Sequence, residues 1–198
     1  MHPARAFAWA DEPAMRAFAA ETAFARLFLT TPDGPRVAHA PILTRLDGRM
    51  RFHLANMNAL VPHLDGATVL ALWEGPNGYL SANCYEDVRG NVPSWNYVAA
   101  ECEGVAHRLD DAALVDLLDY AARTLEPRVG ENWTRAKMDP PRFDAMTRAI
   151  TAFELTPTTW RGTFKASQNK PAHEAERLIA GMERTAPAMA RAMRSVRS

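Results

Sequence analysis

Through the first half of this chain, apolar and polar positions alternate with a period of two; beyond about Asp110 much of it takes a helical period. Phe24 to Thr31 is apolar and β-prone. The run Pro32-Asp33-Gly34-Pro35 predicts a turn, and Arg36 to Leu46 resumes a strand. Asp47-Gly48 predicts a two-residue hairpin. After it Met50, Phe52 and Leu54 alternate with Arg49, Arg51 and His53, giving one buried and one polar face. Asn56 to Leu64 is long enough for one or two helical turns. Thr68 to Trp73 reads as a buried strand, Gly75-Pro76-Asn77-Gly78 as another turn, and Leu80, Ala82 and Cys84 as alternating strand positions. A loop from Glu86 to Pro93 leads into a long strand from about Trp95 to Leu109.

In the second half, Asp110 or Asp111 can cap a helix carrying Leu114, Leu117, Leu118, Ala121 and Leu125 at helical spacing, with Pro127 ending it. Pro140-Pro141 opens a second helix running to Ala149. A last strand covers about Ile150 to Ser167, with Trp160, Gly162, Phe164 and Ala166 alternating against Arg161, Thr163, Lys165 and Ser167. Lys170 to Ser198 is helix-prone. Six or seven strands, then helices, then a returning strand predict an α+β fold with an antiparallel, barrel-like sheet and peripheral helices. We read residues 1–198 as one domain, with a helical insert at about 110–149 and a helical tail at about 170–198.

Composition narrows the function classes. Of 198 residues 47% are hydrophobic, enough for a sizeable core, and the formal net charge is zero. A neutral chain lacks the global field that draws nucleic-acid binders onto phosphate. Cys84 and Cys102 form no CxxC pair and read as reduced, buried thiols. No apolar run reaches the roughly 18–20 residues of a membrane span, and the N-terminus shows no secretory h-region. The expectation is a cytoplasmic protein without membrane partners.

The sequence contains no GxGxxG, no P-loop and no GxSxG elbow. Its six histidines show no ligand spacing, so no metal site is expected. Two segments stand out. Asn91-Val92-Pro93-Ser94-Trp95-Asn96-Tyr97 flanks an amide with two rings after a proline; read locally, Trp95 plugs the core and Tyr97 starts a strand. Lys165-Ala166-Ser167-Gln168-Asn169-Lys170 reads locally as a polar strand end and a helix cap.

Taken together they resemble a known family. Val92 to Tyr97 looks like the VPTWNY motif of the FMN-binding negative transcriptional regulator (PaiB-like) family, and Lys165 to Lys170 looks like its KLSQNK motif. His39-Ala40-Pro41-Ile42-Leu43 sits where that family has HLPFLL, and Gly75 to Tyr85 where it has GPHAYISPSWY. The order holds from about Phe24 to Lys170. The resemblance implies a split β-barrel of the pyridoxamine-phosphate-oxidase type, working as a homodimer with FMN in the groove between two chains. Carried over residue by residue, the cofactor contacts are His39, Ala40, Pro41, Ile42, His53, Leu54, Ala55, Asn56, Asn58, Trp95, Asn96, Tyr97, Lys165, Gln168 and Asn169. The residue types suit a flavin: amides that both donate and accept for the pyrimidine edge, and a lysine for the phosphate.

Two departures weaken the expected FMN grip. Where the family has GHxARANPQW, this chain has Phe52 to Leu60, with Asn56 in place of its arginine and Phe52 in place of its glycine. An asparagine cannot replace a bidentate phosphate clamp in charge. Ser81-Ala82-Asn83-Cys84-Tyr85 lacks one of the family's rings. Two function classes follow: a flavin protein with a redox or sensing role, which includes a flavin-dependent oxidoreductase, and a transcriptional regulator or DNA-associated protein without flavin chemistry. Tyr97 and His53 are the only acid–base candidates. The basic tail, with Arg184, Arg191, Arg194 and Arg197, is the sole DNA-facing candidate; its alternative is an amphipathic helix burying Met189, Met193 and Val196.

Overall fold

The structure, a computed structural model, describes residues 2–197. Eight strands and six α-helices follow in chain order: β1 (Ala8–Trp9), α1 (Glu12–Thr22), β2 (Phe24–Thr31), β3 (Gly34–Pro41), β4 (Leu43–Thr44), β5 (Met50–Ala55), α2 (Val61–Leu64), β6 (Thr68–Leu80), β7 (Ser94–Arg108), α3 (Asp111–Leu125), α4 (Pro140–Thr147), β8 (Ile150–Lys165), α5 (Ala172–Glu183) and α6 (Pro187–Ser195). The strands form one antiparallel sheet in the order β3-β2-β6-β7-β8-β5-β4, with β1 added on β8. The fold is α+β, as expected. The packing divides into two compact units. One runs to Phe18, resumes over Trp73–Glu101 and again from Arg161; the other takes Ala19–Leu72 and Cys102–Trp160.

In the second unit the alternation is borne out in detail. Met50, Phe52 and Leu54 are buried, with Phe52 stacked on Phe153 at 5.6 Å. The opposite face of β5 is polar but covered by α3. There Glu154 accepts from Arg49 (2.6 Å) and Arg51 (2.8 Å), and Arg51 reaches Asp116 of α3 at 3.1 Å. Both faces of Thr151 to Leu155 are therefore buried. Asp110 caps α3 through Ala113 N at 2.8 Å, and Asp139 caps α4 ahead of Pro140; such caps are worth about 1 kcal/mol each. Arg36 to Leu46 is not one strand. It breaks at Ile42, which enters the core while its N–H bonds Ala23 O at 2.6 Å. Asp47-Gly48 lies in a hairpin as expected, but the turn is wider than two residues: Arg45 N bonds Arg49 O at 2.8 Å, leaving three residues between them, with Gly48 at φ +81°.

In the first unit two expectations fail for a shared reason. Gly75 to Gly78 is no turn: β6 runs unbroken to Leu80. These glycines are small because neighbours press on them. A Cβ on Gly75 would meet the Phe18 ring at 2.9 Å, and one on Gly78 would meet Met182 Sδ at 2.5 Å and Ala186 at 2.7 Å. The strand expected over Leu80 to Cys84 instead ends in a 3-10 turn at Ala82–Cys84, where Ser81 Oγ accepts from Asn83 N. Its helices α5 and α6 bury Leu178, Ile179, Met182, Met189 and Met193 against Leu80 and Val98. Along the end of β8 the alternation is irregular: Thr163, Ala166 and Ser167 are buried, while Trp160, Gly162 and Phe164 are only partly so. A Cβ on Gly162 would meet Trp9 of β1 and Met15 of α1. The pairing of β1 with β8 (Ala8↔Thr163, Trp9↔Gly162) and helix α1 are elements that the alanine-rich N-terminus did not announce.

Candidate functional site

The expected site residues fall on surfaces in both units. In the second unit His39 and Pro41 are exposed on β3, while Ala40 and Ile42 are buried behind them, as a strand's alternation requires. Cross-strand register pairs Phe24 with Pro41, Arg26 with His39 and Phe28 with Val37, and further pairs Arg26 with Leu72 and Phe28 with Leu70 on β6. The outward face of β3-β2-β6 thus carries Phe24, Phe28, Val37, Leu70 and Leu72, with Phe24 54% and Val37 45% exposed. His39 stacks on Phe24 at 6.2 Å. A sheet face that is apolar on both sides, with one side open, is a surface awaiting a partner.

At the end of β5, Leu54 is buried and Ala55 exposed; Asn58 turns the chain by accepting from Leu60 N at 3.0 Å. Asn56 is engaged: its amide donates to Arg148 O (2.8 Å) and accepts from Thr151 Oγ1 (2.7 Å), which in turn takes a bond from Arg108 at 3.1 Å. These residues line a polar hollow of about 220 Å³ together with Asp110 and Asp111. Arg108 and Arg148 line this hollow beside the carboxylates of Asp110 and Asp111, and no local motif spacing announces either cation.

His53 points elsewhere, into a cavity of about 450 Å³ walled by Leu118, Leu125, Trp133, Phe143, Met146 and Ile150. Burial pushes its imidazole below the usual histidine range, so it is neutral near pH 7.

In the first unit Trp95 is 51% exposed, lies tilted against Tyr79 with ring centroids 6.0 Å apart and donates to Asn77 Oδ1 at 3.2 Å. It does not plug the core. Tyr97 is half-buried and Asn169 exposed. Lys165 donates to Ser94 Oγ (2.6 Å) and Trp95 O (2.9 Å), and burial holds its ammonium below the usual lysine range. Asn96 is buried, donating to Ser167 Oγ at 2.9 Å and packing on Met193. Gln168 closes the turn after β8: its oxygen accepts from Ala166 N at 2.8 Å, and its nitrogen donates to Ala6 O and Phe164 O. The turn needs such a staple because Ser167 is held at φ +56°, a left-handed conformation that costs a non-glycine residue about 1 kcal/mol or more.

In the tail, Met189 and Met193 are fully buried as the amphipathic reading expects, whereas Val196 is 38% exposed. Arg194 pairs with Glu183 at 2.9 Å, and Arg197 donates to Ser167 O and Lys170 O. Two of the four tail arginines are thus occupied within the unit. Both cysteines are thiols, Cys102 buried and Cys84 partly so. Among the described residues no cluster of potential metal ligands exists, and no helix is long and apolar enough to cross a membrane.

Comparison with known proteins gives this architecture a class. The fold is similar to that of the flavocytochrome Anf3 from Azotobacter vinelandii (TM-score 0.63, 16% identity, covering 83% of this chain and 72% of that one). It is also similar to the FAD and heme binding protein from Mycobacterium smegmatis (TM-score 0.60, 15% identity, 85% and 78%). The chain is an α+β antiparallel split-barrel protein. Residues 1–159 match the family described as "Putative FMN-binding domain", and the chain belongs to that family. A curated relative, protease synthase and sporulation protein PAI 2 of Bacillus subtilis (strain 168), is 26% identical over 157 residues, 77% of this chain and 75% of that protein.

Proposed function

We propose that this chain is a homodimeric flavoprotein that holds FMN at the interface between two copies and uses it in a redox or sensing role. Membership of an FMN-binding family across residues 1–159 is the observation that carries the cofactor. The open apolar face of β3-β2-β6 supports the dimer, because water is a poor partner for Phe24, Phe28 and Val37.

The residues present suit FMN. His39 and Pro41 offer a hydrogen-bonding ring and an apolar edge on that face, with Ala40 and Ile42 fixing the strand behind them. The hollow beside Asn56 offers the hydroxyl of Thr151 and the guanidinium of Arg108 for a phosphate. Trp95, Tyr97, Lys165 and Asn169 are a further set with exposed or half-buried groups. Asn96 and Gln168 support that set from behind, since their polar atoms are engaged within the unit. The chemistry supplied by bound FMN is electron transfer at its ring; the chain's own part is binding and orientation.

The test is spectroscopic. Purified protein, as isolated or after incubation with FMN, should show flavin absorbance at one flavin per chain. Cofactor extracted from it should have the mass of FMN rather than FAD. A colourless protein that takes up no FMN would overturn the reading.

A further inference from the structure

We infer that the cavity beside His53 is a binding site in its own right, for a small neutral aromatic molecule bearing one hydroxyl. It lies among the helical segments between β7 and β8 and is open to solvent beside Trp133 and Met146, which are 40% and 56% exposed; its volume of about 450 Å³ lies in the usual small-molecule range of roughly 300–1,000 Å³. Rings and thioethers dominate its wall: Trp133, Phe143 and Met146 face aliphatic Leu118, Leu125 and Ile150. Such a lining favours a flat aromatic body.

The polar groups choose the rest of the ligand. No lysine or arginine lines the cavity, so an anion would lie there without a counter-charge. The one carboxylate, Glu126, already accepts from Trp133 N at 3.0 Å. The Thr147 hydroxyl already donates to Asp144 O at 3.1 Å, which leaves the His53 ring as the anchor with a free acceptor and donor. None of the described residues hydrogen-bonds its imidazole, which is partly buried on the face of β5 opposite Phe52 and Leu54. A neutral imidazole presents one acceptor nitrogen and one N–H. A ligand hydroxyl can donate to the first, taking the place of water on a partly buried ring.

The probe is 2-naphthol, with 2-naphthoate as its anionic counterpart, titrated calorimetrically into the full chain. Two-naphthol should bind with a Kd below 1 mM and at least tenfold tighter than 2-naphthoate. Ala121 lines the cavity from α3, so Ala121→Trp should fill it and abolish binding. His53→Phe, which keeps the ring shape, should weaken 2-naphthol about threefold to tenfold. Circular dichroism verifies that each variant is folded; should Ala121→Trp fail to fold, His53→Phe and the 2-naphthoate comparison still decide. Saturating FMN should leave 2-naphthol binding unchanged. The inference is overturned if 2-naphthol does not bind the folded wild type, if 2-naphthoate binds equally well, if His53→Phe has no effect, or if FMN displaces the probe, since the cavity would then belong to the flavin.

Discussion

Trp95 is the residue on which the local sequence reading and the structure part most clearly. A proline-anchored Trp at the start of a strand looks like a core plug, and truncating such a ring costs roughly 3–5 kcal/mol. Here the ring is half exposed, with one aromatic neighbour and one hydrogen bond. Trp95→Ala should therefore cost about 1 kcal/mol or less in denaturant unfolding, yet weaken FMN by at least about tenfold. A core-sized stability loss would remove Trp95 from the flavin surface. Asn56 departs in a different way. The missing arginine was visible as a lost charge, but Arg108 lies 52 positions further along the chain and only folding brings it beside Thr151. We expect Arg108→Gln to weaken FMN tenfold to hundredfold, the size of a lost charge-assisted contact of roughly 1.5–3 kcal/mol. Riboflavin, which lacks the phosphate, should bind both proteins alike. Equal losses for both ligands would show that Arg108 acts through the fold instead.

At the scale of elements, what was legible depended on whether the cause was local. The hairpin at Asp47-Gly48, the cap at Asp110 and the alternation of Met50, Phe52 and Leu54 are set by residues within a few positions of one another, and all appear, the hairpin with a wider turn than expected. Gly75 to Gly78 misled because glycine serves two purposes that sequence cannot separate: turning a chain and letting another element come close. Only the position of α1 beside Gly75 and of α5 beside Gly78 reveals the second. The same holds for Gln168, whose side chain reads as a ligand contact until the Ser167 turn it staples is seen. Of the site, β3 was placed correctly as a strand, but which of its residues face outward was settled only by the fold. Gly78→Ala tests the packing explanation. The added methyl would meet Met182, itself fully buried, and Ala186, so stability should fall by roughly 1–3 kcal/mol, read as a lower denaturant midpoint. A change of a few tenths would mean that α5 moves aside freely and that the glycine is not required by packing.

At the scale of the whole molecule, the proposed dimer requires the sheet to avoid indiscriminate pairing while offering a face to a second copy. Strand β3 ends the sheet on one side, and an open edge invites other chains. Pro35 and Pro41 near its two ends remove backbone donors there, and the opposite edge strand, β4, is only two residues long. Association by edge addition is thus discouraged. The face is different: Phe28 stands opposite Val37 across β2 and β3, Phe24 lies on the same face, all three are exposed, and burying each against a partner is worth roughly 1.5–3 kcal/mol. A two-fold contact uses the same patch on both chains, so one substitution acts twice. Phe28→Glu would place two carboxylates in a dry, apolar contact, a cost that a partly exposed position in an isolated chain would not incur. The wild type should sediment at twice the chain mass of 21.9 kDa, and Phe28→Glu at that of one chain while keeping its native circular dichroism. If the flavin is held by both copies, the same variant also loses FMN without any change at His39 or Arg108. A wild type that sediments as a monomer, or a Phe28→Glu protein that stays dimeric, would show that this face is not where two copies meet.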